Sequence, residues 1–239
     1  MGESAMMRIS LLLLWMLVSW PCAAGIIASA TRVIFHEGEA QQSLMLVNTN
    51  PWPVVVQTWV DDGDINREPG SVKTPFVAVP PLFRLEPKGV QGLRIMHNKA
   101  RMPTDRESAF WLNIYEIPPT GSVATQQQSM VLTMNTQMKI FWRPASLNNP
   151  ESAWARLTFH REGSVLVCHN DSPYFVSFAG INFKAGEKLY PVTQLPDMMV
   201  APFGEKRYAF AANAPFSGQV QGELIDDNGN SAVYNWPVK

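Results

Sequence analysis

The chain has little charge, almost no cysteine and no sustained helical periodicity. Charged residues make up 16% of its 239 residues and nearly cancel, leaving a formal net charge of −1. That balance offers no basic field for nucleic acid or for an anionic membrane, and both are set aside as partners. Enzyme signatures are missing as well. His36-Glu37 begins a pair of the zinc-helix kind, but no second histidine follows at the required spacing. The acidic run DDGDIN at 61–66 lacks the ligand order and sixth-place glycine of a calcium loop. There is no G-x-S-x-G, no C-x-x-C and no phosphate-cradling glycine loop. His36, His97, His160 and His169 are scattered and read as ordinary surface or hydrogen-bonded residues. No catalytic residue, metal site or cofactor is expected.

The two cysteines bear on the compartment. Arg8 precedes the apolar run ISLLLLWMLVSW at 9–20, and small residues follow at Ala23, Ala24, Ala28 and Ala30. The run is short for a membrane span of about 20 residues and has the form of a secretory signal peptide. Residues 1–24 are expected to be that leader, with cleavage after Ala24 or as late as Ala30. An uncleaved anchor is the alternative. A lipoprotein site at Cys22 fits less well, because Ser19-Trp20-Pro21 lacks the small residues such a site carries. With the leader removed, Cys168 stands alone, so an exported chain would hold no internal disulfide. Its setting, SVLVCHN, suggests a small buried hydrophobe.

What the chain does have is short apolar alternation and turn residues, with 19 prolines and 15 glycines. The runs TRVIF (31–35), QSLMLVN (42–48), PVVVQTWV (53–60), FRLEP (83–87), QGLRIMH (91–97), FWLNIYEI (110–117) and a stretch over 129–144 predict strands, broken by Asn50-Pro51, Asp62-Gly63, Pro80-Pro81, Lys88-Gly89 and Pro118-Pro119-Thr120-Gly121. The polar segment RPASLNNPE predicts a linker, and β-rich runs resume beyond it. Asn228-Gly229, between GQVQGELI and SAVYNWPV, predicts a hairpin. The expected fold is all-β: two immunoglobulin-like β-sandwiches in tandem, over 25–144 and 151–239, joined by a linker at 145–150.

The stretch SMVLTMNTQMKIFWRP at 129–144 stands out. Even positions carry Met130, Leu132, Met134, Thr136, Met138, Ile140 and Trp142, and odd positions are mainly polar, as in a half-buried strand. At about 3.3 Å per residue it would span roughly 50 Å, far beyond an ordinary strand. Either it bends, or part of its apolar face serves something outside its own domain. Two cations also sit among apolar neighbours, Arg32 in TRVIF and Lys139 in MKIFWRP. Such a cation needs an anionic partner or a route to water. Solvent exposure and pairing with carboxylates of this chain both satisfy that need.

These residues carry a resemblance. TRVIF, PVVVQTWVDDGD (53–64), VPPLFRLEPKGVQGLRI (79–95), ESAFWLNIYEIPP (107–119) and MKIFWRP resemble, in order, the periplasmic chaperones of the chaperone-usher pilus pathway, the PapD-like family. The second domain is similar chiefly through GELIDDNGN at 222–230. The resemblance implies a boomerang of two sandwiches around a cleft. It implies that Arg32 and Lys139 anchor the C-terminal carboxylate of a pilus subunit, and that Met130, Leu132 and Met134 lie on a strand donated to that subunit. Glu107, Arg143 and Asp227 match the family's interdomain ion network, with Asp226 an alternative to Asp227. Lys139 has the opposite parity to the donor stripe, so the strand is expected to twist or bulge between them. The short, cysteine-free connection from Pro119 to Met130 resembles the short-loop branch of the family.

The implied function is a non-enzymatic periplasmic chaperone that folds and caps pilus subunits and delivers them to an outer-membrane usher, with self-capping by dimerisation an open alternative for the free protein. The rival is a periplasmic sugar- or peptide-binding module that uses Trp52, Trp59, Trp111, Trp142, Trp154 and Trp236 as stacking surfaces; their place inside β-runs favours core roles instead.

Overall fold

The computed structural model describes residues 25–64, 66, 68, 70–119, 132–210, 215 and 217–238. The expected leader at 1–24, the connection over 120–131 and Met130 lie outside the described residues.

Up to Arg143 the chain forms β1 (Ile26–Ala28), β2 (Arg32–His36), β3 (Gln41–Asn48), β4 (Val54–Asp61), β5 (Phe76–Val79), β6 (Leu82–Leu85), β7 (Val90–His97), β8 (Ser108–Ile117) and β9 (Met134–Arg143). One sheet runs β1-β3-β7-β5 and the other β2-β9-β8-β4-β6. Alternation supplies the core between them, and Phe35, Leu44, Leu46, Val56, Leu93, Ile95, Leu112 and Ile140 are fully buried there. Every run expected to be a strand in this domain contains one; β1 and β5, short and weakly alternating, were not expected.

The first strand changes sheets. β1 pairs antiparallel with β3, through Ile27 opposite Val47. After the break at 29–31, β2 joins the other sheet parallel to β9.

β9 is shorter than the stretch 129–144 led one to expect, because it starts at Met134. Its ladder with β8 ends where Glu116 meets Met134. β8 stops one residue later, and Pro118-Pro119 cannot donate to a ladder.

The second domain holds β10 (Leu157–Glu162), β11 (Val165–Asn170), β12 (Val176–Ala185), β13 (Lys188–Pro191), β14 (Met199–Val200), β15 (Glu205–Ala209), β16 (Gln219–Ile225) and β17 (Ser231–Pro237). A β10-β11-β15 sheet faces a β13-β12-β16-β17 sheet across a core of Leu166, Phe183, Tyr208, Val220 and Leu224. The predicted hairpin is present, with Ile225 opposite Ser231 and Gly229 at φ +87°. Cys168 is fully buried, and burial pushes its thiol up to about 12. The polar segment between the domains is not all linker: Asn149 Oδ1 accepts from Ser152 N–H at 3.2 Å and caps a 3-10 helix over Pro150–Arg156.

A repeat invisible as sequence similarity recurs in the two sandwiches. β3 ends at Asn48 and runs into Thr49-Asn50-Pro51, and β11 ends at Asn170 and runs into Asp171-Ser172-Pro173. In each, the first asparagine is buried and its Oδ1 accepts from the backbone N–H two residues on, at 2.9 and 3.1 Å. Asn48 Nδ2 donates to the carbonyls of Trp52 and Leu85, and Asn170 Nδ2 to those of Tyr174 and Ala201. Each side chain satisfies backbone groups in its own turn and at a neighbouring strand end or loop.

Candidate binding cleft

Arg32 and Lys139 are direct partners in the parallel ladder of β2 and β9, so two cations far apart in sequence stand side by side. Both face the second domain. Lys139 Nζ donates to Asp197 Oδ1 at 3.1 Å. Arg32 is less satisfied: its Nη1 makes a long 3.4 Å bond to Ile225 O, and its Nε is buried with no partner among the described residues. Burial lowers its pKa, opposed by Asp227 and Asp226. Of the two local accounts offered for these cations, pairing within the chain applies to Lys139, while Arg32 keeps unused donors in a half-buried position.

Four residues beyond Lys139, Arg143 ties the domains together. Its Nε donates to Glu107 Oε1 at 2.7 Å, and Nη1 and Nη2 donate to Asp227 at 2.6 and 3.0 Å. Glu107 also accepts from the Phe175 N–H at 2.8 Å, so the expected trio makes one network, with Asp227 rather than Asp226 as the ligand. Burial alone would lower the Arg143 pKa, yet the bond to Asp227 and the charge of Glu107 outweigh it and raise the value. Burial pushes the Glu107 carboxyl up, while Arg143 and the Phe175 N–H favour its ionised form. The short bonds from both sides hold the pair charged. Phe141 packs on Phe175, with centroids 5.6 Å apart. The odd face of β9 from Phe141 onward is thus covered by the second domain, which explains the unbroken burial of 140–143.

Of the expected twist or bulge in β9, the bulge is absent: its register with β8 runs without interruption from Met134 to Trp142. Parity therefore sorts the two jobs. Odd residues Asn135 and Gln137 donate to Asn113 Oδ1, and Lys139 follows them on that polar face. Even residues Met138, Ile140 and Trp142 enter the domain core. Met134 and Leu132, 54% and 69% exposed, extend the same apolar line beyond it. β8 covers one edge of β9 throughout, but β2 covers the other only from Lys139 onward. Among the described residues nothing pairs with that second edge ahead of Lys139.

Asp197, the carboxylate that pairs with Lys139, is a cleft residue that sequence reasoning missed. It sits in the loop before β14, where its Oδ1 accepts from the Met199 N–H at 3.1 Å, an Asx turn with no signal pointing across the cleft. Burial would raise its pKa, but Lys139 in particular holds its carboxyl below the ordinary value. With Trp111, Gln137, Lys139, Phe178 and Leu195 it lines a cleft of about 530 Å³ between the domains. His97 also departs from expectation, since its buried Nε2 lacks a partner among the described residues and its ring stacks on Trp142 at 4.4 Å. Among the tryptophans outside the leader only Trp52 is well exposed, and only Trp111 of the six lines this cleft.

Family profiles match both halves: "Pili and flagellar-assembly chaperone, PapD N-terminal domain" over residues 25–148, and "Pili assembly chaperone PapD, C-terminal domain" over 152–235. The chain belongs to the PapD-like pilus chaperone family. It is 37% identical to the probable fimbrial chaperone YadV of Escherichia coli over 77% of its length and 76% of that protein's. It is 35% identical to the chaperone protein FimB/FhaD of Bordetella pertussis, over 88% and 87% of the two chains. Among solved structures, the Pseudomonas aeruginosa CupB2 chaperone superposes with a TM-score of 0.77 at 34% identity, covering 89% of this chain and all of that one. The SafB chaperone of Salmonella enterica, solved in complex with the SafA pilin, superposes at 0.76 with 30% identity over 90% and 97% of the chains. Tandem sandwiches and a chaperone architecture are therefore shared with proteins that handle pilus subunits.

Proposed function

We propose that this protein is a periplasmic chaperone that completes the fold of a pilus subunit by lending it β9, caps the subunit's assembly edge and passes it to an outer-membrane usher. The observation that carries this reading is the open edge of β9 ending at Arg32 and Lys139. A guest strand on that edge must stop where β2 begins, because β2 occupies the edge from Lys139 onward. Antiparallel to β9, the guest would bring its N-terminal ammonium to two cations; parallel, it brings its C-terminal carboxylate. Charge thus selects the parallel arrangement, and charge-assisted bonds to the carboxylate set the register.

Register then aligns Leu132 and Met134, with Met130 ahead of them, along the groove where the guest's missing strand would have packed. Backbone bonds on the edge supply affinity, and alternate side chains supply fit. Methionine suits a surface that must accept several related subunits, since it is unbranched and soft. The Glu107–Arg143–Asp227 network fixes the angle at which the second domain overhangs the anchor. No nucleotide or metal enters: assembly is driven by exchange of the lent strand for a better-fitting one from the next subunit, so no enzymatic step is needed. In the free protein the same edge offers itself to a second copy, a dimer that subunit binding displaces.

Amide hydrogen exchange tests the strand addition. Addition of a purified pilin subunit should slow exchange over 132–138 by orders of magnitude and leave β4 and β6 unchanged. Unchanged exchange over 132–138 in a complex that does form would contradict it.

A further inference from the structure

We infer that Asp197 is an internal stand-in for the guest carboxylate, holding the anchor lysine in the free protein and yielding it when a guest strand arrives; this rests on the proposed anchoring role of Arg32 and Lys139. Three features of the cleft support an exchange over permanent pairing. First, Asp197 is built to wait. Its own domain holds it by the Met199 N–H and by Lys206, whose Nζ lies 3.4 Å from Oδ2 and also donates to Met199 O at 3.0 Å. It reaches Lys139 from that fixed position without belonging to the first domain's sheet.

Second, Asp197 has a reserve cation. Release of Lys139 leaves its carboxylate still paired with Lys206, at a side chain 40% exposed, so no bare charge is stranded. Third, the register partner of Lys139 has capacity to spare. Arg32 carries the orphan Nε and the long Nη1 bond and is paired with no carboxylate among the described residues, although it lines the adjoining pocket with Arg143 and Asp227 while Lys139 and Asp197 line the cleft. Lys139 Nζ and the Asp197 carboxylate face the same 530 Å³ cleft, so an arriving carboxylate meets Asp197 as a like charge at the lysine it approaches.

Asp197 therefore lowers affinity for carboxylate-ended strands in general and shields the anchor from adventitious carboxylates until the donor edge is also engaged. It is a specificity-determining residue of the proposed binding reaction, acting on the guest through Lys139. Sign separates this from a plain positioning role: a residue that merely aimed Lys139 would strengthen binding.

The test is a titration of the full protein with two synthetic strand peptides of alternating apolar sequence, identical except that one ends in a free carboxylate and the other in a carboxamide. Wild type, Asp197→Asn, Lys139→Met and the double variant are compared; asparagine keeps the shape and can still accept from Met199 N–H. Asp197→Asn should bind the carboxylate peptide about two- to fivefold tighter than wild type, the range expected for a part-exposed ion pair. Its affinity for the carboxamide should be unchanged, and the gain should vanish in the Lys139→Met background. If wild type prefers the carboxylate and Asp197→Asn binds it no tighter, the stand-in role is overturned while the anchor survives. If no protein distinguishes the two peptides, the anchor reading falls and the stand-in role with it.

Discussion

Arg32 and Lys139 are Cα partners in a parallel ladder, the point where β2 begins to cover an edge of β9 that is otherwise open. That one relationship joins a charge to a geometric boundary. On the proposed reading, the end of a guest strand and the cations that recognise its terminus are fixed by the same pair of backbone positions. Because both strands belong to a packed sheet, the pair is held in place before any guest arrives, and little ordering entropy opposes capture.

Arg143 should dominate the mechanical coupling of the domains. Its side chain and that of Glu107 are 6% and 2% exposed, so Arg143→Ala strands a buried carboxylate. The expected loss is about 3–5 kcal/mol in denaturant unfolding. Asp227→Asn, at a side chain one-third exposed, should cost no more than about 1 kcal/mol. Equal losses for both would mean that Glu107 is not the buried member of the network.

The donor face should be separable from stability. Leu132 and Met134 are exposed in the free protein, so Leu132→Ser and Met134→Ser should leave its unfolding free energy within about 0.5 kcal/mol of wild type. Each should weaken subunit binding about ten- to hundredfold, since each withdraws about 1.5–3 kcal/mol of apolar burial from the complex. Calorimetric titration with a purified subunit reads the second effect and chemical denaturation the first.

Much of this was legible in the sequence, for physical reasons. Period-two alternation marked the strands because both sheets of each sandwich bury one face. The even-numbered stripe of β9 was visible because the side chains serving its own core and the exposed apolar ones ahead of it, Leu132 and Met134, share a parity. Its start at Met134 was not legible, since that depends on where β8 runs out. Nor was the absence of a bulge: opposite parity of Lys139 and Met134 needs no irregularity once the cation faces the second domain and the methionine faces the groove. Asp197 stayed hidden because nothing local distinguishes an Asx-turn aspartate from one that also reaches across a cleft.

The paired asparagines predict where each domain is pinned. Asn48→Ala and Asn170→Ala should each cost about 1–3 kcal/mol for every carbonyl left without a donor. Labelling of Cys168, followed by peptide mass spectrometry, reports the second domain because that thiol is buried within it. Asn170→Ala should accelerate labelling markedly in mild denaturant. Asn48→Ala should accelerate it less, and an equal effect would mean that the two sandwiches open as one unit.

Asp197 also predicts a pH dependence. Its folded carboxyl lies below the ordinary value of 3.8, so its contribution to stability is present above that value and is lost as pH falls through the folded one. Asp197→Asn should therefore be less stable than wild type at neutral pH, by under about 1 kcal/mol given its exposure. The gap should close in acid below the ordinary aspartate range. A gap that widens on acidification would contradict the Lys139–Asp197 pairing.

The most direct measurement is co-purification from the periplasm of tagged wild type, Arg32→Ala, Lys139→Ala and the double variant, with intact-mass identification of what accompanies each. The account predicts that a small secreted β-rich subunit comes down with wild type and is lost from both single variants, the double losing no more than either because the two cations grip one carboxylate. Retention of the same subunit by both single variants at equal purified yield would contradict the anchor at its centre.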